Sequence, residues 1–153
     1  MAGGFSINID NIQVFKEFLN KKYNSLIIEK GNRKTLYLDS IILPTALNDE
    51  FYKNIEVLSP FGAGNPEPKF IIEDLKLIKS NIVANRHIKA IFYSKSNDVV
   101  KTIAFNSIGT VFESYLVKNN KSSMNIVGTL KSNNWNGKTN IEFVINDISV
   151  NNI

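Results

Sequence analysis

One thirteen-residue stretch, Leu58-Ser-Pro-Phe-Gly-Ala-Gly-Asn-Pro-Glu-Pro-Lys-Phe70, most limits what this chain can fold into. It holds three of the four prolines, Pro60, Pro66 and Pro68, and two of the eight glycines, Gly62 and Gly64. Proline is poorly tolerated inside a helix and biases the residue before it to extended geometry. No helix can run through this stretch, so the chain is divided here. A plain linker accounts for the prolines, but not for the apolar Phe61 set among them. A rigid, shaped connector, with Asn65 beside its second glycine, accounts for both.

Before the connector the pattern is mixed. Phe5-Ser-Ile-Asn-Ile9 alternates apolar and polar residues and reads as a short strand. Asp10 reads as an N-cap, with Gln13 as its capping-box partner. Ile12, Phe15 and Leu19, widened by Phe18, predict a helix from Asn11 to Tyr23. Leu26-Ile-Ile28 is a second strand-like run, and Lys30-Gly-Asn-Arg-Lys34 a basic loop. Thr35 to Leu43 reads as a strand ended by Pro44. Thr45 is the expected cap of a second helix, with Asp49 and Glu50 near its positive end. Leu47, Phe51, Ile55 and Leu58 share one face of that helix.

After the connector the order is more regular. Strands are expected at Lys69–Ile78, Arg86–Tyr93 and Val99–Asn106. Then the period changes: Ile108, Val111, Phe112, Tyr115 and Leu116 form the apolar stripe of an amphipathic helix. Two more strands follow, Met124–Lys131 and Thr139–Ile148, with the hairpin signal Asn136-Gly137 between them. Three strands, a helix and two strands is the order of the oligonucleotide-binding (OB) fold, a five-stranded Greek-key barrel. A five-stranded sandwich with a stray helix is the competing topology. The expected fold is therefore mainly β with α: an OB barrel with a helix between its third and fourth strands, preceded by a small α/β remnant. The expected division is 1–58, the connector 59–68, and the barrel 69–153.

Charge follows this division. Residues 1–68 carry a net charge of −1 and residues 69–153 a net of +5. A basic second half suits a phosphate-binding module, or simply a solvated basic surface. Sixteen lysines against two arginines fit an AT-rich coding sequence, so the scarcity of arginine carries no functional meaning.

Single-strand binding needs cations along the backbone and flat side chains under the bases. OB barrels bind on the face of their second and third strands and with the loops joining strands 1–2 and 4–5. That face would offer Arg86, Lys89, Tyr93, Lys101 and Phe105. The last hairpin would offer Lys131, Asn134, Trp135 and Lys138. Each has a plainer reading: Trp135 as a cap on the barrel's open end, Phe105 as core, Arg86 as the surface partner of Asp98 or Glu113.

The chain has no cysteine and one histidine, His87. Disulfides and thiolate metal sites are excluded. Acid–base catalysis and metal-assisted hydrolysis need clustered groups, and the adjacent pairs Glu73-Asp74 and Asp49-Glu50 do not supply them. No apolar run has the length of a membrane span and no secretory leader is evident, so no membrane partner and a cytoplasmic location are expected.

Leu58-x-Pro-Phe-Gly-x-Gly-Asn-Pro-Glu-Pro68 resembles the segment leading into the OB domain of the RecJ family, bacterial 5′–3′ exonucleases specific for single-stranded DNA. Met1-Ala-Gly-Gly-Phe5 resembles the end of that family's Gly-Gly-His-x-x-Ala-Gly-Phe motif. Val127-Gly-Thr-Leu-Lys-Ser-Asn-Asn-Trp-Asn-Gly137 resembles its late hairpin. The resemblance implies the tail of a DHH-associated domain, the connector and the OB domain, acting in DNA recombination and repair. It also implies that the two divalent metals, Mg or Mn, belong to a DHH nuclease core whose motifs are absent here. The chain itself is then expected to hold no cofactor and to be non-catalytic. Implied partners are single-stranded DNA, the nuclease core and single-stranded-DNA-binding protein. Ala2, Gly3 and Gly4 would bring backbone amides near phosphates in the intact enzyme. The chain would be an expressed fragment, a split gene product or a decayed reading frame. A docking module that orients the core without touching DNA is the alternative function.

Overall fold

The computed structural model describes residues 4–30, 35–117, 122–135 and 138–150, the side chains of 26–30, 134, 135 and 138 excepted. These residues fall into two compact units, 1–36 and 37–153.

In the first unit Asn8, not Asp10, provides the cap: its side chain accepts from the Asp10 N–H at 3.2 Å. A single 3-10 turn, Ile9–Asn11, leads into helix α1, Ile12–Lys30. The helix therefore continues through the run 26–28 that reads as a strand. Adding residues to an existing helix costs little, and the chain meets no glycine or proline before Gly31. Residues 4–8 form no strand either; a lone strand has no ladder to join. The Phe5 ring instead sits edge-on to Phe15, 5.0 Å between centroids. The basic loop falls largely on residues 31–34, outside the described residues, as do Met1, Ala2 and Gly3.

The second unit begins well before the connector. Of the strand expected over 35–43, only β1, Ser40–Ile41, is formed. It pairs in parallel with β2, Phe70–Val83. Pro44 then opens a 3-10 turn that ends at Ala46, so the next helix needs a fresh cap. Asn48 supplies it in place of Thr45, accepting from the Phe51 N–H at 2.9 Å. Helix α2, Asp49–Glu56, carries Asp49 and Glu50 in its first turn as expected. It buries Ile55, and the Phe51 ring lies 5.6 Å from that of Phe70. Residues 37–58 thus pack on the barrel, and the compact units do not coincide with the expected division at 58 and 69.

The remaining elements are β3 (His87–Tyr93), β4 (Val99–Ala104), α3 (Val111–Leu116), β5 (Met124–Trp135) and β6 (Lys138–Val150). Helix α3 starts later than the stripe suggests, because Thr110 caps it by accepting from the Phe112 N–H at 3.2 Å. Strands β2, β3 and β4 are joined antiparallel; β4 pairs with β6 in parallel, β6 with β5 antiparallel, and β5 returns antiparallel to β2. Five strands, β2 to β6, therefore close into a mixed barrel with the OB strand order, and the sandwich is excluded. Asn136 and Gly137 lie outside the described residues; the antiparallel register of β5 and β6 sets Trp135 opposite Lys138.

Closure depends on β2 pairing with two partners. Its first half lies against β5 and its second against β3. The ladder is irregular between Ile72 and Leu75, where Asp74 takes φ 56°, and again at Ile78. Such bulges bend a strand and raise its twist. Inside lie Ile72, Leu75, Ile88, Phe92, Val100, Met124, Ile126 and Phe143, all fully buried. The two helices sit at opposite ends. Helix α2 packs near Phe70, whereas α3 is tied through the Leu116 carbonyl to the Ser80 hydroxyl. Those β2 positions are ten residues apart, roughly 30 Å along an extended strand.

The connector wraps this barrel. Ser59–Pro60 is a cis peptide. Asn65 closes the loop: its side chain donates to the carbonyls of Leu58 (2.7 Å) and Pro60 (3.2 Å), and its backbone exchanges hydrogen bonds with Gly62. Phe61 packs against the core, which is why an apolar residue stands among the prolines.

Candidate nucleic-acid interface

Alternation along β3 and β4 builds the face. Ile88, Ala90 and Phe92 point inward, as do Val100, Thr102 and Ala104. His87, Lys89, Ile91 and Tyr93 on β3 therefore point outward, with Lys101, Ile103 and Phe105 from β4 and its end. Register sets Lys89 beside Ile103 and Ile91 beside Lys101.

At the α3 end lies an aromatic and basic cluster. Phe105 is 53% exposed and meets the His87 ring edge-on at 5.0 Å. It is exposed rather than core. The Asn106 N–H donates to His87 Nδ1 at 2.9 Å, and Arg86 Nε lies 3.0 Å from His87 Nε2. A neutral imidazole accepts at one nitrogen only. The Nε contact uses only one of the five guanidinium N–H donors, so Arg86 keeps others for a ligand. Arg86 pairs with neither Asp98 nor Glu113 among the described residues; Asp98 instead accepts from Ser96 and its backbone N–H bonds Ser94.

At the other end Lys101 lines a cavity of about 390 Å3 with Asn48, Asp49, Thr139 and Asn140. Lys101 has no ion pair among the described residues. Two other predicted cations do. Lys89 Nζ lies 3.3 Å from Glu142 of β6, and Lys131 Nζ 2.7 Å from Glu67 of the connector. The Glu142 carboxylate also accepts from Asn133 Nδ2 at 3.2 Å. The Lys89–Glu142 bridge spans from β3 to β6 across β4. Ile103, lying between, is only 7% exposed although it faces outward.

Tyr93 ends β3 opposite Lys76 and lines a separate cavity of about 330 Å3 with Ser94, Lys95 and Asn97. Lys95 bonds Asp74 there at 2.7 Å. Near the connector, the Tyr52 hydroxyl meets the Glu56 carboxylate and the Ser132 backbone. Burial first, then the hydrogen bond and charge of Glu56, push its pKa above the ordinary 10.0.

The structure thus gathers Arg86, Lys89, Lys101 and Phe105 on one face. It sets Tyr93 at the rim and draws Lys131 toward the connector. The side chains of Asn134, Trp135 and Lys138 lie outside the described residues. Sequence reasoning missed Glu142 and Glu67. Glu142 was signalled only as the polar position between Ile141 and Phe143. Among the described residues no group of three or more His, Cys, Asp or Glu could hold a metal ion. No helix among them is long and apolar enough to cross a membrane.

A closed five-stranded mixed barrel, helix-capped between its third and fourth strands and basic on the face of its second and third, is an OB-fold domain. A family model described as the RecJ OB domain matches residues 38–147, and the chain belongs to that family. The single-stranded-DNA-specific exonuclease RecJ of Bacillus subtilis (strain 168) is 25% identical over 152 residues, covering 98% of this chain and 19% of that protein. The crystal structure of RecJ in complex with Mn2+ from Thermus thermophilus matches with a TM-score of 0.61 at 20% identity, covering 98% of this chain and 21% of that one. The Mg2+ complex from the same organism matches with a TM-score of 0.57 at 20% identity, over 95% and 21%. The chain spans about a fifth of the length of these relatives. The matched family is the OB domain, not a nuclease domain.

Proposed function

We propose that this chain is the strand-gripping segment of a RecJ-type exonuclease and is itself non-catalytic. Its barrel holds single-stranded DNA along the outer face of β3 and β4, with little sequence preference, and feeds it to a DHH nuclease core. One observation carries this reading: Arg86, Lys101 and the exposed Phe105 share that face of an OB barrel. Phosphates are met by the cations, and a base stacks on the ring, a contact of about 1–3 kcal/mol. Trp135 and Lys138, on the last hairpin, extend the path. The divalent metal, Mg2+ or Mn2+, belongs with the nuclease core. The setting is recombination and repair in the cytoplasm, with single-stranded-DNA-binding protein as a further partner.

Fluorescence anisotropy of labelled single-stranded and duplex DNA across a salt series tests the proposal. Single-strand preference, with affinity falling as salt rises, is expected. Equal binding of both forms, or none at low salt, overturns it. Lys101→Glu combined with Trp135→Ala should remove most of the affinity; an unchanged value would show that the face is wrong.

A second reading has its own observation. In the first unit Phe5, Ile9, Val14, Phe18 and Tyr23 are all more than half exposed. Apolar surface of this kind suits docking on another protein, and the nuclease core is the partner proposed. Self-association of the chain that disappears when residues 1–36 are removed would support it.

A further inference from the structure

Glu142 stands in the middle of a face otherwise suited to phosphate. Lys89 is bonded to it from β3. Lys131 is directly opposite it in the β5–β6 register. Lys101 occupies the neighbouring position on β4, one residue before the Thr102–Phe143 pair. Asn133 donates to its second oxygen. Its side chain is only 20% exposed, against 45% for that of Lys89. A carboxylate here repels an incoming strand and cancels one cation of the grip. As a tie between strands it is weakened by water on the Lys89 side, where the side chain is nearly half exposed.

The geometry points to Glu142 as an internal stand-in for a DNA phosphate. Its two oxygens take one donor each, Lys89 Nζ and Asn133 Nδ2, in the way two phosphate oxygens would. A phosphate arriving between β3 and the last hairpin exchanges with the carboxylate and takes over both donors. Lys89 and Asn133 are thereby held in a binding arrangement before DNA arrives. The cost is affinity, because each strand must compete with Glu142. The gain is release, because a departing phosphate leaves no stranded cation behind. This sets how loosely the face holds a strand, and it rests on the single-strand reading above.

Anisotropy of a labelled oligothymidylate against the full chain and its Glu142→Gln variant, over a salt series, tests the inference. Glutamine keeps the size and an oxygen for Asn133 but drops the charge. The variant should bind about three- to tenfold more tightly at low salt. Its plot of log affinity against log salt should steepen by about 0.7, one more phosphate contact on a single strand. Lys89→Ala in the Glu142→Gln background should abolish that gain. Unchanged or weaker binding by the folded variant overturns the inference. Should Glu142→Gln fail to fold, Lys89→Ala alone decides. It should weaken binding more than Lys101→Ala does, because it also bares a carboxylate; an equal or smaller loss overturns the inference. No binding by the unaltered chain overturns the single-strand reading and this inference together, whereas binding without a gain overturns the inference alone.

Discussion

At Gly128 a Cβ would stand 2.7 Å from Phe143 Cε1 and overlap the carbonyl oxygen of Val144. The ladder between β5 and β6 shifts register at this residue, so two backbones approach where a side chain would normally keep them apart. Gly128→Ala should therefore destabilise the barrel by about 1–3 kcal/mol through overpacking. Urea unfolding followed by circular dichroism would measure this; a midpoint within error of the parent would mean the strands relax freely. Residues of this kind are only half legible in a sequence. The glycine is visible, but what it lets past is set by β6, more than a dozen residues away. The cations show the same limit. Alternation places Lys89 and Lys101 outside correctly. It cannot show that Lys89 spends its charge on Glu142 while Lys101 pairs with no described residue, because the parallel β4–β6 pairing brings together positions some forty residues apart.

Among the elements, the connector is where a single side chain does most to hold a shape. Two carbonyls, those of Leu58 and Pro60, take their donors from the Asn65 amide. Asn65→Ala leaves both without them in a loop that must seat Phe61 against the core. A loss of about 1–3 kcal/mol is expected, at roughly 0.5–1.5 kcal/mol for each of the two hydrogen bonds. A thermal melt should show the lower midpoint, and Asn65→Asp, which keeps the acceptor but not the donors, should not restore it. The barrel strands were legible because each buries one face and therefore alternates. Their ends were not: β2 runs five residues beyond Ile78, to Val83, because a bulge lets it change partners, which periodicity does not record. Nor was the end of the first helix, whose start was. Leu26, Ile27 and Ile28 suit a strand by composition, yet nothing in the sequence stops the helix before Gly31. The two-residue β1 is the reverse case: a longer alternating run finds β2 only at Ser40 and Ile41.

For the whole molecule the two compact units separate what the barrel needs from what it does not. Ile42 and Ile55 belong to its core, so a chain starting at residue 59 would open one end of it. A chain of residues 37–153 keeps every buried residue of that core. It should melt cooperatively, as single domains of this size do, and should keep the single-strand affinity of the full chain within about twofold at matched salt. A loss of much more than tenfold would place part of the grip in residues 1–36 and overturn the assignment of the face to β3 and β4. The same titration with a chelator present addresses the metal. In the proposed grip phosphate is met by lysine, arginine and amide groups, and among the described residues no group of three or more His, Cys, Asp or Glu could hold a metal ion. Affinity should therefore be the same with EDTA as with Mg2+, once ionic strength is matched, because divalent ions otherwise compete for the strand. An affinity that rose on adding Mn2+ or Mg2+ would mean that a bound ion bridges the chain and its phosphates, a role the proposal reserves for the nuclease core.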